Sequence, residues 1–131
     1  MFVLVDTHAN RAAGFYSLSA LSVDVADLPS DEARKLPKLP IPATLLGRLA
    51  VDSAHQGQKL GQALLFDALV RAYNGRTQVG AMAVIVDAKH GRARAFYEHY
   101  QFRRFPTNEY RLFIPMTTIA QLLEAAHREA L

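Results

Sequence analysis

The sequence predicts a single α/β domain, and three observations predict it. Apolar runs of strand length alternate with longer segments of helical periodicity. At 131 residues the chain can bury one core but not two. Half of its residues are hydrophobic, yet the longest apolar run, Ala81 to Val86, is far too short to span a bilayer. Cysteine is absent, which excludes disulfides and thiolate catalysis and fits a cytoplasmic protein. The opening MFVLVDTHANR has no basic segment, extended apolar stretch or small-residue cleavage site, so no secretory signal is expected. A net charge of +3 permits a polyanionic partner without requiring one.

The elements follow in order. FVLVD (2–6) and GFYSLSALSV (14–23) read as strands joined by the polar turn THANR, a hairpin. Residues 24–42 hold Pro29, Pro37, Pro40 and Pro42, with Ser30 as the N-cap of a short helix through Lys35. ATLLGRLAV (43–51) is a third strand, and Gly47 within it marks a bulge or a close backbone approach. Residues 58–73 are apolar over most of a helical surface, with polar positions at Gln62, Asp67 and Arg71. AMAVIVDA (81–88) is apolar enough for a fully buried strand. Gly91 to Tyr100 reads as a helix with Ala93, Phe96, Tyr97 and Tyr100 on one stripe. FRRF and EYRLFIP form a second hairpin-like pair, and TTIAQLLEAAHREAL a C-terminal helix. There is no internal repeat.

VDSAHQGQKLGQALL, residues 51–65, runs from strand to helix through glycines, with unpaired N–H groups at the positive end of a helix dipole. That is a site for phosphate. The P-loop and dinucleotide glycine patterns both fail here on spacing. Gln56-Gly57-Gln58-Lys59-Leu60-Gly61 instead fits [Q/R]-x-x-G-x-[G/A], and the chain resembles the GNAT superfamily of N-acetyltransferases. LLGRLAVDSAHQGQKLGQALL, DAKHGRARAFYEHYQF and FRRFPTNEYRLFIPMTTI, in that order, look most like the GNAT-type toxins of type II toxin–antitoxin pairs.

The resemblance implies a mixed, mostly antiparallel central sheet, splayed at its middle and flanked by helices, over a single domain at 1–131. It implies acetyl-coenzyme A as cosubstrate and no metal. Backbone groups around Leu49, Ala50 and Val51 would bind the pantetheine arm and polarise the thioester carbonyl. The run Gln56, Gly57, Gln58, Lys59, Leu60, Gly61, Gln62 and Ala63 would hold the pyrophosphate, with Phe96 also on the cofactor. Tyr97 matches the general acid. An aromatic on this stripe, taken alone, reads as packing; the motif is what singles out Tyr97, with Tyr100 as the local competitor. Aminoacyl-tRNA is the implied acceptor, and its α-amine, with a pKa of about 8 or lower, needs no strong base. Asp52 is as well placed to brace the turn as to act as one.

Three departures stand out. Lys59 and Gln101 occupy family glycine positions, and His90 replaces an acidic helix cap, so a weakened helix start is expected there. Family members usually carry a first strand and a helix pair before the segment matched by FVLVD, so either the natural start lies upstream or this is a shortened relative with an open cleft. Phe2 to Val5 would then lie at a sheet edge and invite pairing, most simply as a homodimer. Arg34, Lys35, Lys38, Arg48, Arg92, Arg94, Arg103 and Arg104 form either a tRNA-facing surface or a scatter of solvated charges. The histidines at 8, 55, 90, 99 and 127 lack metal-ligand spacing. Two other functions stay open: acetylation of a small amine or a protein N-terminus, and an inactive relative that binds only coenzyme A or a small antitoxin protein.

Overall fold

The computed structural model describes residues 2–6, 11–34, 40–51 and 59–130. Strands β1 (Phe2–Asp6) and β2 (Arg11–Val23) form the expected hairpin, antiparallel from Phe2↔Tyr16 to Asp6↔Arg11. A 3₁₀ turn (Val25–Asp27) and helix α1 (Ser30–Ala33) lead toward β3 (Ile41–Val51). Pro29, not Ser30, takes the cap position of α1, and no side chain caps it. Proline's fixed φ, here with an extended ψ of 146°, brings the chain to the helix so that Ser30 is already inside it. Lys35 lies outside the described residues.

Helix α2 (Leu60–Asn74), the short α3 (Arg76–Val79), β4 (Ala83–Asp87), α4 (Gly91–His99), the hairpin β5 (Arg103–Phe105) and β6 (Asn108–Pro115), and α5 (Met116–Ala130) complete the chain. The six strands form one sheet in the order β1-β2-β3-β4-β6-β5, and every pairing is antiparallel except β3 with β4.

Alternation along the strands divides the core. Tyr16 and Leu46, with Val84, Val86, Leu112 and Ile114, face α2, α4 and α5, where Leu65, Leu69 and Ile119 are fully buried. Burying each such side chain contributes about 1.5–3 kcal/mol. Odd-numbered neighbours, among them Val23, Ala43, Ile85 and Phe113, form a smaller cluster on the opposite face, with Leu28 packed on it. Arg103 on β5 fastens the α1 segment through Asp31 and Glu32, at 3.1 and 3.3 Å.

The parallel seam is short, only Thr44↔Val84, Leu45↔Ile85 and Leu46↔Val86. Beyond it β3 continues to Val51 paired, among the described residues, with β2 alone, while the Ala88 N–H turns away to donate to the Tyr110 carbonyl at 2.8 Å. The sheet is splayed at its middle. Gly47 sits where the strands part. On β2, Ser17 faces Arg48 and Leu18 faces Leu46, so Gly47 is skipped as a bulge. Because the ladder skips that residue, the helix face passes from even to odd numbers: Leu49 and Val51 share the face that Leu46 occupies. A side chain at Gly47 would lie 3.0 Å from Ser17 Oγ.

Candidate active site

The parted strands open two connected cavities. One, of about 500 Å³, takes Leu49, Val51, Val86 and Tyr97 from the helix side and Phe15, Ala50 and Asp87 from alternate strand positions, so it passes through the sheet. The other, of about 820 Å³, lies between the start of α2 and the outer stripe of α4, lined by Lys59, Leu60, Gly61, Gln62, Arg92, Phe96 and Tyr100 among others. Leu49, Val51, His90, Ala93 and Tyr97 line both.

Lys59 caps α2 in left-handed backbone, φ 59° and ψ 23°, with no side-chain cap. Glycine reaches that conformation without strain, which explains the glycine of the family pattern. The Ala63 N–H closes the first turn on the Lys59 carbonyl at 3.2 Å, leaving the amides of Leu60, Gly61 and Gln62 without intrahelical acceptors. Gly61 lets this turn approach the facing wall: a Cβ there would be 3.7 Å from Phe96 and 4.0 Å from Val51. Those are ordinary contacts, so alanine fits as well.

Of the cofactor residues expected from sequence, Leu49, Ala50, Val51, Lys59, Leu60, Gly61, Gln62 and Phe96 therefore gather on the two cavities. Ala63 does not. Its side chain lines a separate cavity with Phe2, Tyr16 and Asp67, because it is one helical step past the open turn. Gln56, Gly57, Gln58, Asp52 and His55 lie outside the described residues.

Tyr97 stands where the cavities join, 6% exposed. Burial pushes its hydroxyl pKa up to about 12, so it carries its proton throughout the neutral range. Tyr100 lines only the larger cavity, edge-on to Phe66, Phe96 and His99, away from the strand gap. The end of α4 holds Tyr97 in place. The Gln101 N–H donates to the Glu98 carbonyl at 3.1 Å and the Phe102 N–H to the Tyr97 carbonyl at 3.2 Å, the paired bonds of a Schellman cap. Gln101 provides its left-handed residue, φ 73°. Phe102 completes it by packing on the Tyr97 ring, centroids 5.4 Å apart.

The start of α4 corrects an expectation. His90 is the N-cap, and its Nδ1 accepts from the Ala93 N–H at 3.2 Å, so an imidazole replaces the acidic cap in function.

The proposed basic surface thins out. Arg103 is held by Asp31 and Glu32, Arg104 by Glu98, and Arg94 lies near Glu98 and Glu109. Lys35 and Lys38 lie outside the described residues. Arg48 and Arg92 each line a cavity, Arg48 the one through the sheet and Arg92 the larger one. Asp87, the carboxylate on the through-sheet cavity, is held by Arg111 at 2.7 and 2.9 Å. Among the described residues no three His, Asp or Glu side chains converge as a metal site would need, and no helix is long and apolar enough to cross a membrane.

Sequence reasoning missed one cluster. The buried Tyr16 hydroxyl donates to Asp67, which also accepts from Arg71 Nε at 3.1 Å, and Arg71 lies over Phe2 at 4.3 Å. Burial first, then the bond to Asp67, pushes the Tyr16 pKa up to about 12; that same bond, then Arg71, holds the Asp67 carboxyl below the usual range. Only the Asp67–Arg71 spacing of four is visible locally; Tyr16 lies 51 residues away.

The Acetyltransferase (GNAT) domain family matches residues 2–104. A tRNA-acetylating toxin of Mycobacterium tuberculosis is 42% identical over 113 residues, covering 86% of this chain and 68% of that protein. The solved structure of AtaT complexed with acetyl-methionyl-tRNAfMet superposes with a TM-score of 0.83 at 31% identity, covering 92% of this chain and 73% of that one. The AtaT Y144F mutant toxin bound to the C-terminus of the antitoxin AtaR and acetyl-CoA gives 0.75 at 27% identity, covering 92% and 70%. A strand pair splayed over a buried tyrosine, a helix opening onto the same cleft and these likenesses make one assignment: the chain is an N-acetyltransferase of the GNAT family.

Proposed function

We propose that this protein transfers acetyl from acetyl-coenzyme A to the α-amine of an aminoacyl-tRNA, as a toxin that blocks translation. One observation supports it above the rest: two cavities meet at Tyr97 through the gap between Leu49–Val51 and Val86–Ala88. The larger one suits coenzyme A, with the amides of Leu60, Gly61 and Gln62, which have no intrahelical acceptor, toward its pyrophosphate and the edge of β3 that is unpaired among the described residues along its pantetheine. Acetyl-coenzyme A supplies the activated acyl group. The acceptor nitrogen enters by the through-sheet cavity, a C–N bond forms, the C–S bond breaks, Tyr97 delivers its proton to the departing sulfur, and the proton shed by the acylated nitrogen passes through solvent to restore the Tyr97 hydroxyl. A hydroxyl with a pKa of about 12 is a weak acid, but a thiolate forming in the same dry cleft is desolvated too, which raises its own proton affinity.

The acceptor follows from what the cleft offers. With Asp87 paired to Arg111, no unengaged carboxylate lines the through-sheet cavity among the described residues, so the amine should arrive already partly neutral. An esterified α-amine meets that condition and a lysine ε-amine, with a pKa of about 10.4, does not. Arg48 and Lys89 at that mouth suit an acceptor that carries phosphate. The relatives named for tRNA acetylation favour the same acceptor.

The reaction needs no metal and belongs in the cytoplasm, where charged tRNA is found. Two protein partners fit. An antitoxin is one, by analogy with the AtaR complex. A second copy of the chain is the other, because β1 ends the described sheet with Val3 52% exposed. The test is thiol release from acetyl-coenzyme A with charged and uncharged tRNA. Release with charged tRNA alone is expected. Equal release with simple amines would move the acceptor to small molecules, and cofactor binding without any release would make the protein a binder.

A further inference from the structure

Helix α2 meets the β1–β2 hairpin in two different ways. Near its start it lies directly on strand backbone: a Cβ on Gly14 would stand 2.6 Å from Leu64 Cδ1 and 2.9 Å from the Ala50 carbonyl oxygen, so glycine alone admits both neighbours. One turn later helix and hairpin separate. A cavity of about 510 Å³ opens between Ala63 and Asp67 on the helix and Phe2, Val3 and Tyr16 on the strands, and it shares no lining residue with the two cavities that meet at Tyr97. A polar contact spans that space. Tyr16, 1% exposed, donates its hydroxyl to Asp67, and Asp67 also accepts from Arg71 Nε at 3.1 Å. Arg71 lies over the Phe2 ring at 4.3 Å and Phe2 stacks on Tyr16 at 4.9 Å, which closes a circuit of two hairpin and two helix side chains. Packing does not account for the hydroxyl, since phenylalanine would fill the same place beside Phe2.

We propose that Tyr16 and Asp67 are positioning residues for acetyl transfer: their bond, with Gly14 as the seat, holds α2 against β2 and so sets where the amides of Leu60, Gly61 and Gln62 stand relative to the strand gap. Neither side chain lines a cavity of the active site, so both act through the helix. The path is short. Leu64 rests on Gly14 one turn beyond Leu60, and Asp67 is bound to Tyr16 about two turns beyond it. A helix released at Asp67 has the cavity to move into, pivots on its seat at Gly14 and swings its first amides the other way. Molecules in that displaced state do not hold the phosphates, and the apparent affinity falls by the fraction that remains in place. This role rests on the acetyl-coenzyme A reading and names what keeps the phosphate end of that site in register with Tyr97.

Calorimetric titration of the full chain with coenzyme A, and kinetics with charged tRNA and either acetyl-coenzyme A or acetyl-pantetheine as donor, test it. Tyr16→Phe should raise the coenzyme A Kd and the acetyl-coenzyme A KM about 3-fold to 10-fold, since the bond can bias the helix by no more than its own net worth. With Tyr97 untouched, kcat and its pH profile should not change. The kcat/KM for acetyl-pantetheine should hold as well, because that donor carries no phosphate for the helix amides. Asp67→Ala, at a half-exposed helix position, cuts the same bond from the other side and should give the same split. The double variant should be no weaker than either single one. Equal losses with both donors, additive losses in the double variant, or unchanged coenzyme A affinity in both single variants would overturn the positioning role while leaving the cofactor reading standing. Failure of the wild-type protein to bind coenzyme A would reject that reading, and the positioning role with it. Circular dichroism checks each fold, and if Tyr16→Phe does not fold, Asp67→Ala decides.

Discussion

Two helix ends, the start of α2 and the finish of α4, both place a residue with a side chain in backbone that favours glycine, and they do so for different ends. Lys59 opens α2 on the wall of the cavity proposed for coenzyme A. Gln101 closes α4 behind Tyr97, outside either cavity, and the bonds around it fix the tyrosine's position. In each, strain of about 1–2 kcal/mol accompanies a non-glycine residue. At Gln101 nothing returns for it. At Lys59 a cation is placed beside the helix amides.

The comparison breaks most forcefully at Phe102. Phe102→Ala removes the apolar partner of the Schellman cap and should lower unfolding stability by about 3–5 kcal/mol, measured by denaturant titration, with acetyl transfer falling as Tyr97 loosens. A loss under 1 kcal/mol would show that the cap holds without it. Next is Tyr97→Phe. The ring still packs, so coenzyme A affinity should hold while turnover falls about 10²-fold to 10⁴-fold; unchanged turnover would move the proton donor to Tyr100 or to water.

Alkaline titration followed by tyrosinate absorbance is the third test. Two of the five tyrosines, Tyr16 and Tyr97, should ionise at about 12. In the unfolded chain tyrosine ionises at about 10, so folding holds these protons more tightly. Their contribution to stability is complete below pH 10 and lost as the pH rises toward 12. Ionisation of Tyr16 and Tyr97 near pH 10 in the folded protein would contradict the burial of both hydroxyls.

The smallest effects separate the two helix ends themselves. Gln101→Gly should stabilise the protein by about 1 kcal/mol with coenzyme A affinity unchanged. Lys59→Gly should stabilise it similarly but weaken coenzyme A binding several-fold at low salt, the scale of a solvent-screened charge contact. Tighter binding by the glycine variant would mean that the lysine side chain obstructs the phosphate.

These two residues also show how far the sequence could be read. Both were visible as departures from a glycine pattern, but the reason, a positive φ, is a property of backbone path and not of residue type. Gly47 marked a bulge or a close backbone approach, because glycine inside a strand has few other uses, and the register shift shows the bulge. The hairpins and the buried strand around Ile85 were legible from period-2 patterning and apolar runs. A histidine at a cap position does not read as an acceptor by residue type, yet the Nδ1 lone pair of the neutral imidazole accepts the same amide that a carboxylate would. The Tyr16–Asp67 bond had no local signature, since its partners come from elements that meet only when α2 packs on β2. Ala63, expected on the cofactor with Gly61 and Gln62, lines a different cavity because a helix turns each successive side chain by about 100°, which puts Ala63 about 200° from Gly61.

The bulge at Gly47 makes β3 tolerant of a lost residue at one place and intolerant of a gained one. Removing Gly47 would keep every apolar side chain in the molecule and on its present face: Leu46 and Arg48 would become successive residues of a regular ladder on β2, Leu49 and Val51 would stay on the helix side, and the local kink where the strands part would be lost. A regular residue added beside the bulge has the opposite effect: Leu49 and Val51 would exchange faces with Arg48 and Ala50, bringing a guanidinium into the core and taking two aliphatic walls out of the cavity beside Tyr97. Lineages of this protein can therefore shorten β3 by one residue at this point more readily than lengthen it.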